Sequence, residues 1–366
     1  MTFLIYGATG YTGRLCAAHA AERGLRPVLA ARNPDTLRPL AEGLGLEWRV
    51  FGLAPTPTQL QGVAAVLHAA GPFSATAAPM AAACIAAGIH YCDITGEIDV
   101  FEALAGWDAR ARKAGVMLLP GTGFDVVPSD CLAAHVATRL PGATRLRLSI
   151  GGLSKASRGT MKTMLEGIGT GVRVRRAGAI VQGDAHLRST ADFGAGTRPT
   201  IGVPWGDVST AFRSTAIPNI DVFFEAARDI EIMSRLPAPI RRTLAYGPVL
   251  RFLQGQIDRR LPPGPTAQDR ASGHAAILAE AWDHAGRHVA SLLTTPEPYH
   301  LTARTAVEAT RLAAEGHARP GTQTPATAYG ADFVQTFEGV VRTDLVLPPD
   351  PPDLSGDIHG RHQPAR

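Results

Sequence analysis

Seven residues near the N-terminus, Gly7-Ala8-Thr9-Gly10-Tyr11-Thr12-Gly13, carry the clearest chemistry in the chain. They follow a short apolar run, Phe3 to Tyr6, and lead into Thr12 to Arg23, which reads as a helix stopped by Gly24. A glycine turn between strand and helix leaves backbone N–H groups unpaired at the helix N-terminus, where the macrodipole adds positive potential. Its glycines let a bulky anion approach the backbone. The spacing G-x-x-G-x-x-G in this context points to a dinucleotide diphosphate. The next strand, Pro27 to Ala31, ends in Arg32-Asn33 with no acid at its tip. An acid there would hold the ribose 2′-hydroxyl of NAD. A guanidinium pairs instead with a 2′-phosphate and stacks on adenine. The sequence therefore predicts NADP(H), with Arg32 and Asn33 beside its 2′-phosphate. Asn33 followed by Pro34 also reads as a helix N-cap, which puts Asp35 inside the helix.

Three further motifs follow later strands: Ala69-Ala70-Gly71-Pro72-Phe73, Asp93-Ile94-Thr95-Gly96-Glu97, and Gly121 through Asp125 to Asp130. Ligands of open α/β sheets gather at the carboxyl ends of strands. Ala70, Gly71, Pro72, Phe73, Thr95 and Gly96 are thus candidates to lie along the cofactor. Capping is the competing role for Asp93, Thr95, Ser129 and Asp130. A reductase also needs a group that delivers a proton. Asp125 is one candidate, as an acid or as an anchor for an amine. Lys155 is another, because two of the chain's three lysines, Lys155 and Lys162, share one short window of an otherwise arginine-using protein. A desolvated lysine can lose its proton, which arginine does not readily do. No Tyr-x-x-x-Lys dyad, nucleophile elbow or metal-spaced histidine pair is found, and no metal is expected.

These motifs need elements to hold them at one edge. Short apolar runs at Phe3–Tyr6, Pro27–Ala31, Trp48–Phe51, Val63–Ala70, His90–Cys92 and Val116–Leu119 alternate with helical stretches, including Thr76–Ala87 and Phe101–Ala114. That alternation predicts an α/β fold whose first part, residues 1–142, is a Rossmann-type doubly wound parallel sheet. From about residue 143 to 320 the beat changes. A strand at Arg145–Gly151, a long helix at Thr160–Arg176, a strand at Ile220–Glu225 and a hairpin in Ala275–Leu293 turning at His284–Gly286 predict a second α+β domain on a mixed sheet. Residues 231–261 read as a proline-broken helical stretch, and Tyr299–Gly316 and Pro325–Phe337 as helices. Residues 321–347 are expected to return toward the nucleotide domain, and 348–366 to form a flexible tail.

The 366 residues are 45% hydrophobic and 19% charged, a globular composition. No apolar run is long enough to span a bilayer, and Met1–Tyr6 lacks the basic region of a secretion signal. Four cysteines, at positions 16, 84, 92 and 131, show no close pairing, which fits a reducing cytoplasm. The net charge of +4 comes from scattered arginines without a long basic block, so nucleic acid is not an expected partner.

The set Gly-Ala-Thr-Gly-Tyr-Thr-Gly, Ala-Gly-Pro-Phe, His-Tyr-Cys-Asp-Ile-Thr-Gly-Glu and Gly-Phe-Asp-Val-Val-Pro-Ser-Asp, in this order, resembles the saccharopine dehydrogenase-like oxidoreductases. It is most similar to the branch that includes bacterial trans-acting enoyl reductases. Ser157 to Glu166, Ser209 to Ile220 and Thr324 to Gly330 extend the resemblance over most of residues 1–345. Where saccharopine-forming enzymes have an aspartate–proline–glycine turn, this chain reads Asp125-Val126-Val127-Pro128, which argues against saccharopine as substrate. The resemblance implies an NADP(H)-dependent reduction of a C=C, C=N or C=O bond in a small or lipid-like molecule, and a homodimer built on the second domain. The alternative is a non-catalytic NADP(H) sensor or scaffold.

Overall fold

The computed structural model describes residues 2–153, 156–167, 171–184, 186–226, 240, 243–244 and 246–346. The first sheet begins with β1 (Thr2–Tyr6), β2 (Val28–Ala31), β3 (Trp48–Val50), β4 (Val63–His68), β5 (His90–Asp93) and β6 (Met117–Leu119). A two-residue strand from the far end of the chain, β15 (Gly321–Thr322), completes it. The order is β15-β6-β5-β4-β1-β2-β3, and every pairing is parallel. This is the doubly wound order with a topological switch between β1 and β4. The strands are apolar on both faces because both faces are covered. Phe3 and Ile5 join one core, with α1 (Tyr11–Glu22) and α2 (Pro34–Leu44). Leu4 and Tyr6 join the other, with α3 (Phe73–Ala87), α4 (Ile98–Ala105) and α5 (Asp108–Lys113).

The second sheet holds β7 (Arg145–Gly151), the hairpin β8 (Arg173–Arg176) and β9 (Ala179–Gln182), β10 (Arg188–Asp192), β11 (Thr197–Gly202), β12 (Asn219–Glu225), β13 (His274–Trp282), β14 (His288–Pro296) and β16 (Val341–Leu345). β7 and β12 run parallel while the other pairs are antiparallel, so the sheet is mixed, as the sequence predicts. Its inner face (Leu146, Leu148, Val222, Ile277) shares one core with the first sheet through α6 (Val127–Arg139) and α8 (Asp207–Thr215). The long helix α11 (Pro298–Leu312) leaves β14 and packs on α1 and against β4 and β5. Residues far along the chain thereby reach the edge of the first sheet. The remaining helices are α7 (Arg158–Gly167), α9 (Gly247–Arg260), α10 (Ala267–Ser272) and α12 (Pro325–Tyr329).

Several boundaries differ from the sequence reading. The long helix expected over Thr160–Arg176 ends at Gly167, and Arg173–Arg176 is a strand. Residues 168–170 lie outside the described residues, and beyond them Val172 and Val174 alternate with arginines in the strand period. Phe101–Ala114 is two helices with a break at Gly106-Trp107. Pro325–Phe337 is a short helix ended at Gly330 (φ 92°), followed by a single 3-10 turn. In the returning segment, β15 joins the first sheet, whereas β16 pairs with β14 of the second. Residues 231–239, part of the expected proline-broken stretch, lie outside the described residues, as does the tail from 347. Among the described residues no helix is long and apolar enough to cross a membrane. All four cysteines are buried and free. The arginine cluster at 173–176 is paired with carboxylates: Arg173 with Asp99 (2.7 Å), Arg175 with Glu102 (3.2 Å) and Arg176 with Asp221 (2.6 Å).

Candidate active site

Four strand-end loops of the first sheet are welded side by side. Gly7, at φ +82°, turns the chain out of β1; a Cβ here would fall 2.8 Å from the Ala70 Cβ and 2.9 Å from the Ala69 carbonyl carbon. The first loop therefore lies directly against the turn after β4. Gly13 is as confined, because its Cβ would stand 2.2 Å from the Gly7 carbonyl oxygen. Only glycine lets α1 start so close to β1. Gly10 caps α1 without a side chain, leaving the first amides of the helix facing outward. The loop is held by Gly7 N–H and Ala8 N–H donating to the Ala30 carbonyl.

Glu97 joins the second and third loops. Its carboxylate accepts from Phe73 N–H (2.9 Å) and Ser74 N–H (2.7 Å), so the loop after β5 caps α3. The Gly71–Pro72 peptide bond in that turn is cis. Asp93 joins the third and fourth loops: its Oδ1 accepts from Thr95 N–H (3.0 Å) and Gly121 N–H (2.9 Å), and its Oδ2 from the Tyr91 hydroxyl (2.7 Å). Burial nonetheless pushes its carboxyl up to about 6. Beneath the second loop, His68 is fully buried among Tyr6, Phe73 and Tyr91, with Nε2 3.0 Å from the Thr76 hydroxyl. Burial pushes its imidazole down to about 3, which favours the neutral ring.

The predicted site residues fall into two groups. Gly7, Ala8, Thr9, Gly10, Tyr11, Thr12 and Gly13 form the loop and first turn at the N-terminus of α1, with Ala70 and Gly71 beside them. Arg32 stands exposed at the tip of β2 with no acidic partner among the described residues. Asn33, Phe73 and Thr95 each also make a contact within the chain. Asn33 accepts from Asp35 N–H (2.8 Å) as the N-cap of α2. Phe73 is buried against His68, and the Thr95 hydroxyl accepts from Glu97 N–H (3.1 Å). Pro72, the N-cap of α3, is half-buried. Gly96 lies under Asp125: a Cβ at 96 would come within 2.9 Å of the Asp125 Oδ2. The Asp125 carboxyl itself has no hydrogen-bond partner among the described residues, and burial pushes it up to about 7. Lys155 lies outside the described residues.

Residues from the second part of the chain close over this edge, and the sequence reading missed them. Trp205 Nε1 donates to the Asp125 carbonyl (2.9 Å). Thr302 on α11 accepts from Phe124 N–H (2.9 Å), and Thr305 donates to the Thr122 carbonyl (2.8 Å). The Tyr11 hydroxyl donates to the Pro265 carbonyl (2.6 Å) and accepts from Arg270 (2.9 Å), while Gly264 sits on the face of its ring. Tyr299, in the first turn of α11, meets the Tyr11 ring edge-on at 5.2 Å. Asp207, at the start of α8, is fully buried, and burial pushes its carboxyl well above the usual range. The arrangement brings together an anion cradle at the start of α1, an uncompensated carboxyl above Gly96, and the rings of Tyr11 and Tyr299. A dinucleotide fits the cradle: the positions where it would approach the backbone are those where a Cβ has no room.

No family model matches the chain. It is 34% identical over 187 residues to a putative trans-acting enoyl reductase of Mycobacterium tuberculosis, covering 46% of this chain and 44% of that protein. It is 33% identical over 147 residues to a trans-acting enoyl reductase of Mycobacterium ulcerans, covering 37% and 35%. The matches thus span less than half the length of these relatives. Among solved structures, apo saccharopine dehydrogenase (L-Glu forming) of Saccharomyces cerevisiae superposes with a TM-score of 0.64 at 10% identity, over 94% of this chain and 100% of that one. That is a likeness of fold. The sequence matches and the fold together support the resemblance to the saccharopine dehydrogenase-like oxidoreductases, in the branch that includes trans-acting enoyl reductases.

Proposed function

We propose that the protein is an NADP(H)-dependent oxidoreductase that reduces a C=C, C=N or C=O bond of a small or lipid-like substrate. The observation that carries this reading is the cradle of Gly7, Gly10 and Gly13 at the N-terminus of α1, with Arg32 beside it free of any acidic partner among the described residues. The curated relatives' names favour an enoyl group as the reducible bond. When bound, a reduced nicotinamide would supply a hydride. The chain supplies the rest. The amides that open α1 hold the diphosphate, and Arg32 holds the 2′-phosphate. Asp125, pushed up to about 7, keeps a proton near neutral pH and is the candidate donor to the reduced bond. Trp205 fixes the backbone of Asp125, and α11 fixes the loop before it.

Fluorescence titration of the purified protein with NADPH and NADH tests the reading. Tighter NADPH binding, lost selectively in Arg32→Ala, supports it. Equal losses for the two nucleotides would remove Arg32 from the assignment. Binding of neither would remove the oxidoreductase reading.

A further inference from the structure

We propose that Tyr299 is the hydrogen-bond donor that holds the substrate heteroatom on which negative charge develops during the reduction. The inference rests on the oxidoreductase reading above and adds a residue to it. Tyr299 projects from α11 against the ring of Tyr11 in the glycine loop, 5.2 Å away ring to ring, and within electrostatic reach of Asp125. Its oxygen accepts from Ser157 N–H at 2.7 Å and lies 2.8 Å from the Thr160 Oγ1. Thr160 Oγ1 is in turn 3.1 Å from the Ser157 Oγ, which accepts from Thr160 N–H at 3.2 Å.

Three hydroxyl protons serve two hydroxyl–hydroxyl contacts, so either placement leaves one proton over, and the proposed one leaves it on Tyr299. Ser157 O–H points to Thr160, and Thr160 O–H points to Tyr299. The phenol oxygen then accepts two hydrogen bonds, which fills its lone pairs. Its own proton has no acceptor among the described residues. The reverse placement, with Tyr299 donating to Thr160 and Thr160 to Ser157, leaves the Ser157 proton without one. A phenol that accepts twice is a stronger donor. Burial and the nearby Asp125 raise the phenol further, so it remains protonated. A pre-aimed donor of this kind is what a developing oxyanion needs.

The step balances without another reactant. The substrate double bond gains a hydride from reduced nicotinamide at one atom and a proton from Asp125 at the other. The heteroatom's transient charge rests against the Tyr299 O–H, which keeps its proton. The nicotinamide leaves oxidised, and Asp125 recovers its proton from solvent.

The test uses NADPH, crotonyl-N-acetylcysteamine as substrate probe and its saturated product, butyryl-N-acetylcysteamine. Tyr299→Phe is expected to lower kcat by about 10²–10³-fold, as loss of one oxyanion donor does, with the NADPH Kd unchanged. The calorimetric affinity of the NADP⁺-loaded protein for the butyryl ester is expected to fall about tenfold, the worth of one net hydrogen bond. Thr160→Val should give part of the kcat loss and Thr160→Ser should restore it, which a packing role would not do. Unchanged kcat and unchanged ester affinity in Tyr299→Phe overturn the proposal. So does a wild-type protein that binds NADPH but leaves the crotonyl ester unreduced. Failure of the wild type to bind NADPH overturns the oxidoreductase reading first, and this one with it.

Discussion

Replacing Asp125 by asparagine isolates the cost of holding an ionisable carboxyl without hydrogen-bond partners above Gly96. The carboxyl lies over Gly96 with no hydrogen bond among the described residues, and burial raises it from 3.8 to about 7. The folded state therefore binds this proton more tightly than the unfolded chain. The stabilisation is fully present below pH 3.8 and is lost as pH rises through 7. About three pH units at 1.36 kcal/mol each give a cost of about 4 kcal/mol for the charged form by pH 8, as an upper bound. Asparagine keeps the shape and cannot ionise. Urea unfolding of both proteins from pH 4 to pH 8.5 should show the variant gaining on the wild type as pH rises, by up to about that amount. Asp93 and Asp130, each pushed to about 6 by burial, bend both curves in the same sense and cancel in the difference. In turnover the variant should lose kcat while NADPH still binds. A constant difference across the pH range would refute the argument that this carboxyl is buried and uncompensated. A variant with normal turnover would remove Asp125 as the acid.

Other perturbations separate the cradle from its supports. Gly13→Ala places a Cβ 2.2 Å from the Gly7 carbonyl oxygen, so dinucleotide binding should fall below detection in a fluorescence titration and Tm should drop by several degrees; a Tm and NADPH Kd matching the wild type would contradict the cradle. His68, pushed down from 6.5 to about 3 by burial, stabilises the fold above pH 6.5 and loses that contribution as pH falls toward 3, by about 1.4 kcal/mol per pH unit. His68→Gln should flatten that part of the acid limb of the stability curve, and an unchanged limb would show that the imidazole is not neutral in the folded protein.

The parallel sheet and the glycine loop were legible because both are local. Buried parallel strands read as short apolar runs, and a glycine turn opening a helix is contiguous in sequence. The hairpin of β13 and β14 was legible for the same reason: two long apolar runs flank Asp283–Gly286. The strand β8 was misread because an arginine-rich stretch next to a helix hid a two-residue period. The welds between the loops gave no signal of their own. Glu97 and Asp93 look like ordinary caps, and only the fold shows that each reaches backbone amides of a neighbouring loop. Tyr299 was invisible for a stronger reason. It lies 288 positions from Tyr11, and α11 must cross from the second sheet to the first before the two rings can meet. Asn33 was legible in one of its two readings: the cap that Asn33-Pro34 predicted is present, with Asn33 accepting from Asp35 N–H at the start of α2.

The central claim is that the cradle beside Arg32 takes a 2′-phosphorylated dinucleotide. Parallel fluorescence titrations with NADPH and NADH, on the wild type and on Arg32→Ala, test it most directly. The account predicts tighter NADPH binding by the wild type. It predicts a loss for the variant of about ten- to hundredfold for NADPH, the worth of a charge-assisted hydrogen bond, and little change for NADH. NADH binding as tightly as NADPH, or the variant losing both nucleotides equally, would contradict it.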